Sequence, residues 1–317
     1  MSIPSQLDIE GLASFLLKGT QQAALACLPW VGKGDRKAAD GAAVAALRST
    51  LSDAPGTGRV VIGEGEKDKA PMLFVGEEVG LGNGPEYDIA VDPLEGTNYC
   101  AQGTEGAIAV MAAAPKDSLW STSAYYMNKI VVGKKAAGSI DINASVEQNI
   151  KSVANALAKP VEEIVVMVLD KPRHQELIKQ IRDCGASVLA LPDGDVMGAL
   201  RCLLPNGGVD MSMGIGGAPE GVITACSVQL LEGDMQAKLA PQSEDEIEMI
   251  KDDPDKDRVL FLKDLVKSPN CCFLATGVTN SIFLPSPEQK EKEWKTSSWM
   301  LTPQHRGLFV QEVHPKK

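Results

Sequence analysis

The residues best able to do chemistry form one short run, Asp92-Pro93-Leu94-Glu95-Gly96-Thr97, after the alternating segment Asp88 to Val91. The alternation predicts a strand that delivers Asp92 to its end. Pro93, with no N–H to donate, is expected to stop the ladder there. Two carboxylates then flank a forced turn, Gly96 lets backbone come close to a ligand, and Thr97 adds a hydroxyl. Two hard anionic ligands on one rigid turn suit a Mg²⁺ or Mn²⁺ that also holds a substrate phosphate. The same residue types make an ordinary solvated turn, so this run alone leaves both readings open.

The elements that must carry this run follow from periodicity. Apolar residues at helical spacing predict a helix from Gln6 to Leu28, broken by Pro29-Trp30-Val31-Gly32-Lys33-Gly34. A second helix runs to Leu51, with Asp40 at or near its start, where capping is the ordinary role. Arg59–Ile62 reads as a buried strand ending in Gly63-Glu64-Gly65-Glu66. The glycines would present Glu64 outward, with Asp68 close by. Further strands are expected over Tyr87–Val91, Ala107–Ala113 and Trp120–Tyr125, then a helix over Ser145–Ala158.

From Pro160 the rhythm changes. Strands at Ile164–Leu169, Ser187–Leu191 and Val209–Met213 alternate with helices at His174–Cys184, Val196–Leu204 and Pro219–Leu231. That alternation predicts a parallel sheet with crossover helices. The expected division is an N-terminal α+β metal-site domain, residues 1–160, and a C-terminal α/β substrate-binding domain, residues 161–317. The acidic segment Gln242–Arg258 reads as a solvated excursion. Its Asp253, Asp255 and Asp257 have the spacing of a calcium loop, but Arg258 stands where such a loop needs glycine. Cys272–Ala275, Trp299–Thr302 and Leu308–Val313 are expected strands.

Composition narrows the function. The 317 residues carry a formal net charge of −11, which argues against nucleic-acid or anionic-membrane partners but not against an anionic substrate held through a metal. Asp8 and Glu10 precede the short apolar stretch Gly11–Leu17, unlike a secretory signal, and no apolar run is long enough to span a bilayer. Seven scattered cysteines without a C-x-x-C pair fit a reducing, cytoplasmic setting. Walker-type and strand-anchored G-x-G-x-x-G nucleotide loops and a G-x-S-x-G elbow are absent. His174, His305 and His314 lack metal-ligand spacing, so a carboxylate centre for Mg²⁺ or Mn²⁺ is favoured over zinc.

In a parallel sheet, ligands bind at the carboxyl ends of the strands. Leu169 runs into Asp170-Lys171-Pro172-Arg173-His174, two cations at a helix start, which suits a phosphate. Leu191 runs into Asp193-Gly194-Asp195, acids that could accept sugar hydroxyls. Met213 runs into Gly214-Ile215-Gly216-Gly217-Ala218-Pro219-Glu220-Gly221, and Cys272–Ala275 into Thr276-Gly277-Val278-Thr279.

Those four segments, with Gly63–Glu66, Asp92–Thr97 and Gly32–Asp40 in the same order, closely resemble the class II fructose-1,6-bisphosphatases of the lithium-sensitive phosphatase superfamily. The resemblance runs from about Trp30 to Thr279. It implies an α-β-α-β-α layered sandwich of the sugar-phosphatase type with two subdomains. The implied reaction is metal-dependent hydrolysis of the 1-phosphate of fructose 1,6-bisphosphate, in gluconeogenesis or Calvin-type carbon metabolism. Sedoheptulose 1,7-bisphosphate presents the same reacting end. An inositol-phosphate phosphatase and a non-catalytic sugar-phosphate sensor are the rivals. By the same resemblance, Asp40 and Glu64 look like ligands of one divalent ion, and Asp92, Glu95 and Glu220 of a second. Glu95, Gly96, Thr97, Tyr126, Lys171, Pro172, Arg173, Asp193, Gly194, Asp195 and Gly217 would meet substrate. Thr97 would orient the attacking water, Leu94 would offer its carbonyl to a metal, and Asp68 would be a further catalytic acid. A homodimer or homotetramer is the expected assembly.

Overall fold

The computed structural model describes residues 7–63 and 73–316. The chain forms two compact units, Met1–Trp120 with Lys267–Lys317, and Ser121–Val266. The division therefore falls at residues 120 and 266 and not at the expected cut near residue 160. The reason is pairing: the last strands return to extend the first sheet.

The first unit opens with α1 (Ile9–Cys27), capped by Asp8, and α2 (Arg36–Leu51), capped by Asp35, whose Oδ1 accepts from Ala38 N–H at 3.0 Å. Asp40 thus lies inside α2, not at its start, and caps nothing. β1 (Gly56–Ile62), β2 (Glu78–Asn83), β3 (Glu86–Glu95), α3 (Thr97–Gln102) and β4 (Ile108–Pro115) follow. Pro93 does not end β3. The strand pairs Asp92 with Val110 and Glu95 with Ile108, so one extra residue is taken up in a bulge around Pro93-Leu94.

The second unit holds β5 (Tyr126–Val132), α4 (Val146–Leu157), β6 (Val165–Leu169), α5 (Gln175–Asp183), β7 (Ser187–Leu191), α6 (Asp195–Leu203), β8 (Met211–Gly217), α7 (Ala218–Leu230), β9 (Asp234–Leu239), α8 (Glu244–Met249), β10 (Leu260–Phe261) and α9 (Leu262–Leu265). The chain then re-enters the first unit with β11 (Cys272–Gly277), β12 (Glu288–Lys290), β13 (Glu293–Leu301) and β14 (Arg306–Pro315).

Among the described residues, the first sheet runs β12-β13-β11-β4-β3-β1-β2 with β14 on β13. β1 and β3 are parallel and its other pairs antiparallel. Helices α1 and α2 pack together against it, filling a core that includes Leu12, Leu16, Leu47, Leu51, Ile89 and Met111. The second sheet runs β10-β9-β5-β8-β6-β7. Only β6, β7 and β8 are parallel. β5 inserts antiparallel between β8 and β9, so the sheet is mixed where a parallel one was expected. Ile130, Val132, Val166 and Val168 face α4 and α5 across one core, while α6 and α7 cover the opposite face.

Trp120–Tyr125 is not a strand, because its neighbourhood has other hydrogen-bond partners. Asp88 takes the N–H groups of Ser118 (2.7 Å) and Leu119 (3.0 Å), and Thr122 Oγ1 takes that of Ala124 (3.1 Å). In the acidic excursion, Ser243 caps α8, Asp253 accepts from Thr122 Oγ1 at 2.9 Å, and Arg258 pairs with Asp255 and Asp264. Among the described residues, no helix is long and apolar enough to cross a membrane.

Candidate active site

In the first unit, the bulge of β3 turns two acids toward one point. Asp92 and Glu95 are 2% and 5% exposed, and a carboxylate oxygen of each lies within 4.8 Å of the other's. Local backbone holds both: Leu94 N–H donates to Asp92 Oδ1 at 3.0 Å, and Gly96 N–H to Glu95 Oε2 at 3.2 Å. Gly96 sits at φ +77°, a left-handed conformation that a side chain resists, and a Cβ there would stand 2.9 Å from the Tyr99 ring. Thr97 Oγ1 donates to Leu94 O at 3.0 Å, which leaves its own lone pairs as acceptors. The arrangement can hold a hard divalent cation: two like charges buried side by side are costly unless a cation shares them, and an all-oxygen set suits Mg²⁺ or Mn²⁺. Asp40, on α2, is half-buried, and burial pushes its carboxyl above the usual range. Glu64 and Asp68 lie outside the described residues.

In the second unit, the carboxyl ends of β6, β7 and β8 converge, as open parallel sheets require of a ligand site. The end of β8 has three glycines around Ile215, and each bare position admits a group from elsewhere. A Cβ on Gly214 would lie 3.0 Å from His174 Nε2. One on Gly216 would overlap Asp195 Oδ2 and lie 2.5 Å from Lys129 Nζ, and one on Gly217 would collide with the Glu220 carboxylate. Arg173 lies over the Tyr126 ring, 5.1 Å from its centroid, and its Nη2 donates to Ile215 O at 2.9 Å. Lys171 Nζ donates to Pro192 O at 2.7 Å. Gly194, at φ +82°, precedes Asp195, the first residue of α6. Gly217 caps α7, and Glu220 stands in its first turn. Glu220 as a residue is half-buried, but its Oε2 is sealed from solvent without a hydrogen-bond partner. Burial first, then the nearby Asp195 charge, raises its pKa, while Lys129 opposes the rise.

Residues 10–314 match the family described as bacterial fructose-1,6-bisphosphatase, glpX-encoded. The chain belongs to this family. It is 43% identical over 315 residues to fructose-1,6-bisphosphatase class 2 of Haemophilus influenzae, covering 93% of each chain. It is 44% identical over 304 residues to fructose-1,6-bisphosphatase 2 class 2 of Escherichia coli K12, covering 92% of this chain and 95% of that one. Fructose-1,6-bisphosphatase 1 class 2 of the same organism is 39% identical over 315 residues, covering 93% and 92%. The match extends well beyond Trp30–Thr279 at both ends.

Within this bisphosphatase fold, Asp92, Glu95, Gly96 and Thr97 share one turn. Tyr126, Lys171, Pro172, Arg173, Asp193, Gly194, Asp195, Gly217 and Glu220 stand at the strand ends of the second unit. The Thr276–Thr279 turn is not a strand end of the second sheet, because β11 belongs to the first. Thr276 Oγ1 is spent on Thr20 and Ser298 (2.8 Å each), and Thr279 Oγ1 accepts from Ala107 N–H at 2.9 Å. His174 is a missed residue. Its Nε2 accepts from Ile215 N–H at 2.8 Å and its Nδ1 faces Leu169 O at 2.7 Å, so it is a neutral bracket tying the Arg173 turn to β8. Its place beside Arg173 at a strand end was the available signal.

Proposed function

We propose that the chain is a phosphoric monoester hydrolase that cleaves the 1-phosphate of fructose 1,6-bisphosphate, giving fructose 6-phosphate and phosphate. The family match over residues 10–314 carries this reading. Water oxygen bonds to phosphorus as the bond from phosphorus to the C1 oxygen breaks, the transfer being in line and direct, and the released alkoxide takes a proton. Thr97, its proton committed to Leu94 O, accepts a hydrogen bond from the attacking water and so aims it. Arg173, exposed, and Lys171, half-buried, are cations suited to the distal phosphate, and Asp193 and Asp195 accept from sugar hydroxyls.

Asp92, Glu95 and Glu220 would hold one divalent ion, and Asp40, with Glu64 from sequence, a second. The sealed, unpartnered Glu220 Oε2 supports its place in that set. When bound, such ions polarise the phosphoryl group and favour ionisation of water. A cytoplasmic setting accords with seven free thiols.

The deciding experiment strips the protein with a strong chelator, then assays fructose 1,6-bisphosphate, sedoheptulose 1,7-bisphosphate and inositol monophosphate side by side. Activity on a sugar bisphosphate should vanish and return with Mn²⁺ or Mg²⁺. Full activity in the stripped protein, or turnover of inositol phosphate alone, would overturn the proposal.

A further inference from the structure

β5 has the sequence Tyr126-Met127-Asn128-Lys129-Ile130-Val131-Val132, and Lys129 falls at a position that points into the core between Met127 and Val131. It is 2% exposed, among the largest fully enclosed side chains of the molecule. A lysine there is costly, since its ammonium must leave water, and a buried ion pair commonly contributes less stability than two apolar residues of the same size. Stability therefore does not account for Lys129.

What surrounds it is a fitted seat. Lys129 Nζ donates to Asp195 Oδ2 at 2.5 Å. Gly214 is its register partner on β8, and the pair lies against the bare Cα of Gly216, where any Cβ would displace both partners. Asp195 is itself 7% exposed and enters from the end of β7 through the left-handed Gly194. The ends of β7 and β8 and the middle of β5 thus meet around one ammonium–carboxylate contact. Among the described residues, Asp195 Oδ1 receives no hydrogen bond, so the lysine engages one oxygen and leaves the other to a ligand.

We infer that Lys129 is a positioning residue for substrate binding: it fixes the Asp195 carboxylate so that Oδ1 accepts from a sugar hydroxyl, and it offsets that carboxylate's charge so that an anionic sugar phosphate can approach. The inference rests on the proposed activity and on Asp195 meeting the sugar. Lys129 itself touches no reacting atom.

The test is a double-mutant cycle with Lys129→Met, Asp195→Asn and the pair together, read as KM, kcat and Tm on fructose 1,6-bisphosphate in saturating Mn²⁺. Lys129→Met should raise KM roughly ten- to a hundredfold, the range of a lost charge-assisted hydrogen bond, with kcat changed far less. The paired variant should have the KM of Asp195→Asn alone, because Lys129 acts through Asp195. Lys129→Gln keeps a donor without the charge and should fall between. It also serves if Lys129→Met does not fold, as does the paired variant, which leaves no uncompensated charge. A folded Lys129 variant with lowered Tm and wild-type KM makes the residue purely structural. Multiplicative losses in the paired variant make it an independent ligand contact; either result overturns the inference. Wild-type protein inactive on every sugar bisphosphate refutes the activity itself, a failure seen before any variant is made.

Discussion

The turn at Asp92–Thr97 and the strand ends around Gly216 both gather acids in a buried place, but they do so by opposite means. At the turn, six consecutive residues supply everything: two carboxylates, the N–H groups of Leu94 and Gly96 that hold them, and a hydroxyl locked to Leu94 O. Around Gly216, the side chains come from β5, the β6–α5 turn, α6 and α7, and β8 contributes bare glycine positions and the Ile215 backbone. A site built from neighbours is held by local backbone geometry. One built from distant segments is held by packing, so damage at one point reaches several groups at once.

That contrast can be broken most forcefully at Gly216. Gly216→Ala should lower kcat/KM by more than about 100-fold, since misplacing a binding group by an ångström costs that much. Tm should fall with it, because Asp195 and Lys129 must both move. Near-normal kinetics would show that the strand ends are not one coupled unit.

At the turn the effect should be smaller and confined. Thr97→Val deletes one hydroxyl while keeping the shape, so kcat should fall on the order of 100-fold, with KM, metal affinity and Tm nearly intact. A variant with wild-type kcat removes Thr97 from the chemistry, and one that loses Tm without rate assigns it to the turn.

The smallest effect concerns pH. Burial holds the His174 imidazole below its ordinary value of 6.5. The unfolded chain takes up that proton near 6.5 and the folded chain resists it, so this contribution is complete above 6.5 and lost as pH falls. Denaturant unfolding at pH 7.5 and 5.5 should show wild type losing more stability than His174→Gln. The part due to His314, also depressed by burial, should remain in both. Equal losses would mean that His174 is not held neutral.

Sequence alone determined what neighbours in the chain decide. The helices α1, α4 and α7, the strands β6 and β7, and the acid turn were legible because apolar periodicity, capping residues and a Pro-Gly turn act over a few residues. The closeness of the Asp92 and Glu95 carboxylates was legible for the same reason. Sequence did not show that Pro93 sits in a bulge rather than ending a strand, since that depends on β4 pairing on both sides of it. Nor could it divide the chain, because β11 joins β4 through an antiparallel register, Cys272 with Ala113, across more than a hundred intervening residues. That pairing placed Thr276 in the first sheet, and the equally distant pairing of β5 with β8 and β9 made the second sheet mixed. Only tertiary structure could decide that Lys129, in an otherwise ordinary strand, meets Asp195, because a charge is buried only where the fold brings its partner.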